Sequence, residues 1–325
     1  MRVSREKLVS LAKEEAEKRA ESDGVLSAYL IGSVVSGEPI FGGSADVDLV
    51  LIHRHHAPMT REFIALSKDF HLDIIHHPSE LYANPTELRI DPWLGPAVCE
   101  PIFLYDPEHF FERTQAGVRG QYHRADYVHA RALAFLSRAR KLKHVSGSNS
   151  SWVGGYAQSL LEGANAAVTL GGFPAAGRRL APILQARLFD LGQKNLYYAF
   201  QRLLGANQVE QDHLTGWLAA WRKAVEAAAP IDDQFSIFRQ NYHANGFETL
   251  IANSDPRAIL WNLICDWNAA SLALPHDDEH TKSWRAALQV LRLDEQDQEQ
   301  RAEELEIFLD QVETFIENWA DENGA

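Results

Sequence analysis

The stretch Val25-Leu-Ser-Ala-Tyr-Leu-Ile-Gly-Ser33, followed after twelve residues by Asp46-Val-Asp-Leu-Val-Leu-Ile52, decides how this chain is read. The first run is apolar and β-prone, and it ends on a glycine and a serine, small residues that let backbone amides approach an anion. A loop rich in turn formers follows, Ser36-Gly-Glu-Pro39 and then Gly42-Gly-Ser44. The second run, from Ala45, is a strand interrupted by two acids. Side chains two apart on a strand leave from the same face, so Asp46 and Asp48 point at one spot while Val47 and Leu49 face the core. Phe70-His-Leu-Asp-Ile-Ile75 repeats the theme with a single acid, Asp73, between large apolar residues. A shared cation relieves the repulsion between the paired acids. Hard divalent ions such as Mg²⁺ take oxygen ligands and are held by one or two carboxylates together with substrate phosphates. Asp73 is the candidate third ligand, or the acceptor of an attacking hydroxyl's proton.

Gly32-Ser33, twelve residues, Asp46-Val-Asp48 and then Leu72-Asp73-Ile74 resemble the signature of the DNA polymerase β-like nucleotidyltransferase superfamily, whose small-molecule branch includes the aminoglycoside nucleotidyltransferases. That resemblance covers roughly the first third of the chain and rests on the combination rather than on any single piece. It implies that Gly32 and Ser33 contact nucleotide phosphates, that Asp46 and Asp48 bind Mg²⁺ as two ions, and that Asp73 completes the metal site or acts as base. It further implies a nucleoside triphosphate donor, ATP for preference, a small-molecule hydroxyl as acceptor, and pyrophosphate as product. Many relatives carry a serine directly before the first aspartate. Here Ala45 fills that place and Ser44 lies one residue earlier.

Composition sets the outer limits. A chain of 325 residues that is 46% hydrophobic can bury a substantial core and is long enough for two domains. With 45 acids against 31 Lys and Arg, the net charge of −14 gives no electrostatic footprint for general nucleic-acid binding, which favours a small acceptor over a polymer. Cys99 and Cys265 form no motif with disulfide or metal-ligand spacing. The opening Met1-Arg-Val-Ser-Arg-Glu-Lys lacks the apolar core of a secretory leader, and no stretch is long and apolar enough to span a membrane. A soluble, cytoplasmic protein is expected.

The expected fold is α+β: an N-terminal nucleotidyltransferase domain over residues 1–118 with a mixed β-sheet flanked by helices, then a mostly α-helical domain over 119–325. Leu8, Leu11, Ala12 and Ala16 sit at helical spacing ahead of the first strand. His76-His-Pro-Ser79 reads as a turn, and Ala97 to Asp106 as another short strand. Beyond about Gly120 long helical patterns run over 122–144, 152–170 and 180–191, and the last, over 294–319, carries Leu305, Phe308, Leu309, Val312 and Phe315 inward and a solvated acidic face outward.

Histidines 53, 55, 56, 76 and 77 read as loop residues, since Asp48 to His53 spans roughly 17 Å of extended chain. Arg131, Arg138, Lys141, Lys143 and the pair Arg178-Arg179 read mainly as solvated helix charges. Arg138 and His144, an arginine and a histidine with five residues between them on an expected helix, resemble the spaced Arg-His motif of HEPN-domain ribonucleases, which implies metal-independent RNA cleavage as an alternative. A non-catalytic nucleotide sensor is the third reading.

Overall fold

The computed structural model describes residues 3–22, 24–142 and 149–325. It separates into two compact units, Met1–Tyr127 with Asn241–Gly246, and Val128–Gln240 with Phe247–Ala325. The first unit runs α1 (Arg5–Ser22), β1 (Val25–Leu30), α2 (Ser33–Ser36), β2 (Ala45–His53), β3 (Arg61–Ala65), β4 (Phe70–Pro78), α3 (Pro85–Ile90), α4 (Leu94–Cys99), β5 (Ile102–Tyr105) and α5 (Phe110–Arg119). Its five strands form one sheet in the order β3-β4-β2-β1-β5. The sheet is mixed: β2 and β4 are parallel, and the other neighbours are antiparallel.

Alternation along the strands divides the sheet into two faces. On one, Val47, Leu49, Leu51, Leu72 and Ile74 are buried together with Leu8, Ala12 and Ala16 of α1. Burying each large aliphatic side chain there contributes about 1.5–3 kcal/mol. On the other face Tyr29 of β1 stacks on Phe111 of α5 at 4.1 Å, and its hydroxyl shares a 2.8 Å hydrogen bond with that of Tyr82. The acids share this second face, at the N-terminal ends of β2 and β4.

Three local details differ from the sequence reading. Residues 76–78 are strand rather than turn, because β4 pairs with β2 along its whole length, ending with His53 opposite Pro78. Ala97–Cys99 belong to a helix, α4, which follows a turn at Asp91 whose Oδ1 accepts from the backbone N–H of Trp93 at 2.9 Å and of Leu94 at 2.6 Å. The strand proper begins at Ile102. β3 is an edge strand with no counterpart in that reading.

In the second unit the helices are α6 (Ala125–Leu142, its first turn in the first unit), α7 (Asn149–Val168), α8 (Leu180–Asp190), α9 (Lys194–Leu203), α10 (Gln211–Ala228), α11 (Ile237–Asn253), α12 (Leu260–Ala273), α13 (Glu279–Leu291) and α14 (Gln298–Asn323). Residues 241–246 of α11 belong to the first unit. Trp221, Trp267 and Trp284 are fully buried, and Trp221 donates its indole N–H to Asp266 Oδ2 at 2.7 Å. α14 buries Leu305, Phe308, Leu309 and Val312 as their spacing requires, but Phe315 is only half-buried and Ile316 takes the inward position instead. Its acidic face is not simply solvated, because Arg140 of α6 donates to Glu313 at 2.7 Å and Asp310 at 2.9 Å. No helix among the described residues is long and apolar enough to cross a membrane.

Candidate metal centre

Register brings the three acids together. β2 and β4 pair so that Asp48 lies opposite Asp73 and Asp46 opposite His71, which puts all four side chains on one face of neighbouring strands. One carboxylate oxygen from each of Asp46, Asp48 and Asp73 lies within 4.8 Å of the other two. Three negative charges this close repel unless a cation sits among them, and an all-oxygen donor set suits a hard divalent ion. Val47 and Leu49, on the opposite face, are fully buried.

Gly32 closes the site from β1. Its φ of 72° and ψ of −147° lie in a region that only glycine adopts readily. A Cβ added there would stand 2.1 Å from Asp48 Oδ2, so the missing side chain is what lets the turn lie against the carboxylate. The backbone N–H of Ile31 donates to the Asp48 carbonyl at 3.1 Å and fixes this approach. Ser33 follows, and its Oγ is buried with no hydrogen-bond partner among the described residues. A buried hydroxyl left without a partner is costly, and an oxyanion beside it would satisfy it. Ser44 is buried elsewhere, donating to the Phe41 carbonyl at 3.3 Å.

Two further residues reach the acids. Arg61 of β3 grips Asp73 with two donors, Nε to Oδ1 at 2.6 Å and a terminal nitrogen to Oδ2. Asp73 is 1% exposed while Arg61 is half exposed. The hydrogen bond to Asp73, followed by the charges of Asp73, Asp48 and Asp46, raises the pKa of the guanidinium above its usual value, so Arg61 is the cation that answers the triad. Tyr242, in the α11 segment that belongs to this unit, donates its hydroxyl to Asp46 Oδ2 at 2.7 Å and sets its ring edge-on to that of buried His71 at 5.2 Å. Neither was legible as a site residue. Arg61 announces itself only as the start of a five-residue edge strand, and Tyr242 lies 196 positions from its partner with no motif around it.

The histidines sort differently from a loop cluster. His53 and His76 are buried on the α1 side of the sheet, opposite the acids, and share a 2.8 Å hydrogen bond. The chain continues from His76 to Glu62 at 2.9 Å and from Arg19 of α1 to Glu62 at 3.0 Å. His77 is on the acid face of β4, with Nδ1 at 2.6 Å from the Tyr82 hydroxyl, and only His55 and His56 are exposed loop residues. In the second unit Arg131 and Arg178 are buried rather than solvated, Arg138 and Arg179 are half-buried, and Lys141 is exposed. Lys143 and His144 lie outside the described residues, so the paired Arg138-His144 motif has no geometry here.

No protein-family model matches this chain, and no curated protein matches it.

Proposed function

We propose that the first unit is a metal-dependent nucleotidyltransferase that moves a nucleoside monophosphate from a triphosphate, ATP for preference, to a hydroxyl of a small molecule and releases pyrophosphate. One observation carries the reading: three carboxylates converge within 4.8 Å beside a glycine whose absent side chain leaves room against Asp48. Exposed acidic groups also cluster without binding an ion, but here Asp73 is buried and the orphaned Ser33 hydroxyl lies in the adjoining turn.

In this reading Asp46, Asp48 and Asp73 hold Mg²⁺, which when bound supplies charge neutralisation on phosphate oxygens and orientation for in-line displacement. Ser33 donates its Oγ hydrogen to a phosphate oxygen. Gly32 keeps Asp48 from being displaced. Asp73 completes the metal site or takes the acceptor hydroxyl's proton: both of its oxygens accept from Arg61, and each keeps a second lone pair for either role. The net charge of −14 is consistent with a small acceptor and argues against a polymeric nucleic acid.

The test is mass spectrometry of hydroxyl-bearing acceptors, aminoglycosides among them, after incubation with nucleoside triphosphates and Mg²⁺. A nucleotidyl adduct and matching pyrophosphate release are expected, both abolished in Asp46→Asn and Asp48→Asn with circular dichroism unchanged. Undiminished turnover in either variant would overturn the assignment. Saturable nucleotide binding without any product would instead identify a sensor.

A further inference from the structure

We propose that Tyr242 is a positioning residue for the metal centre, its hydroxyl orienting the Asp46 carboxylate for the cation. This inference rests on the metal-binding reading of the triad and extends it to a residue that lies outside the N-terminal sequence segment.

Each carboxylate of the triad meets a different restraint. Asp48 lies against Gly32, where any side chain would collide with it. Asp73 is fixed by the two donors of Arg61. Asp46, half-buried near the start of β2, receives the hydroxyl of Tyr242 at 2.7 Å, a length typical of a charge-assisted O–H···O⁻ bond. The bond engages Oδ2, so Oδ1 would be the oxygen left for a cation. Hydrogen bonds to ligating carboxylates set ligand orientation, and losing one typically weakens metal binding.

The rest of the segment shows that this approach is held in place. Asn241 donates its side-chain N–H to the Lys68 carbonyl at 3.1 Å, and Tyr242 is itself only 7% exposed. Its ring meets buried His71, the residue opposite Asp46 across the β2–β4 ladder. Phenylalanine would keep that ring contact and lose only the hydroxyl, which makes Tyr242→Phe a clean removal of the proposed bond.

The experiment measures Mn²⁺ binding to the full chain by calorimetry, confirmed by electron paramagnetic resonance, without nucleotide. Tyr242→Phe is expected to weaken the Mn²⁺ dissociation constant by about tenfold to a hundredfold, while Asn241→Ala, which loosens the same helical turn without touching Asp46, leaves it within about twofold. Equal affinity in wild type and Tyr242→Phe, with binding lost in Asp46→Asn, would overturn the role of Tyr242 and leave the metal centre standing. An equal loss in Asn241→Ala would also overturn it, since seating of the helix rather than the hydroxyl would then be responsible. A wild-type chain that binds no Mn²⁺ would remove the metal centre itself.

Discussion

Replacing Arg61 by methionine tests the electrostatics of the site most directly, because it should change cation-free stability and cation affinity in opposite directions. Arg61 is bonded to both oxygens of an almost fully buried Asp73. A charged hydrogen bond contributes about 1.5–3 kcal/mol, but the half exposure of the guanidinium places the loss toward the lower end, about 2 kcal/mol. For a folding unit of this size that corresponds to a melting point lower by roughly 6–10 °C. The same substitution removes a positive charge beside the proposed ion. At an effective dielectric of about 20, a unit charge and a divalent ion about 5 Å apart repel by roughly 6–7 kcal/mol, and solvent at the exposed side of Arg61 screens most of this. Even a quarter remaining is about 1.6 kcal/mol, which makes Mg²⁺ binding roughly tenfold tighter. Thermal melts across a Mg²⁺ titration should therefore start lower for Arg61→Met and climb further than for wild type. A variant with unchanged or weaker Mg²⁺ affinity would refute the idea that Arg61 and the ion compete for one cluster of charge.

Gly32→Ala should place a methyl on Asp48 Oδ2 in a backbone conformation that strains any other residue, so metal binding should fall at least tenfold by calorimetry, with a stability loss of about 1–3 kcal/mol in urea. Gly205→Ala tests the helical unit alone: at φ 79° its Cβ would lie 2.5 Å from the Leu291 carbonyl oxygen, a backbone atom that cannot swing aside, and chemical denaturation should show a loss of at least about 2 kcal/mol. Burial, and secondarily the charge of His76, hold the His77 pKa below its ordinary 6.5. The unfolded chain therefore takes up this proton first, and stability is full above pH 6.5 and falls as the pH drops below it. His77→Gln should lose less stability than wild type between pH 7.5 and pH 5.5 in urea titrations.

Local pattern carried some features of this molecule and not others. Asp46-Val-Asp-Leu declared both its strand and its two faces, because alternation is a property of consecutive residues. The buried stripe of α14 was legible for the same reason. His76 and His77 looked like turn residues beside Pro78, yet the whole segment is strand because β2 supplies a partner along its entire length, a non-local fact. Ala97–Cys99 read as strand by composition, but the Asp91 turn leads the chain into a helical turn before β5 can begin. At the candidate site Gly32, Ser33, Asp46, Asp48 and Asp73 fall inside one short window, so their spacing could be compared with a signature. Arg61 and Tyr242 could not be found that way: one acts from an edge strand too short to show alternation, and the other arrives from a distant helix.

The parallel ladder between β2 and β4 also determines where this protein tolerates change in length. Asp48 faces Asp73 because the two strands are aligned residue for residue over nine positions. Losing a single residue within β4 would turn Asp73 toward the layer under α1 and bring Leu72 or Ile74 to the acidic side, exchanging charge for hydrocarbon at both addresses. The connection between β2 and β3, away from its tied ends at Arg54 and Thr60, carries no such register constraint. Lengthening it should leave the acids where they are, whereas one deletion inside the ladder would erase the centre while keeping almost every residue of the domain.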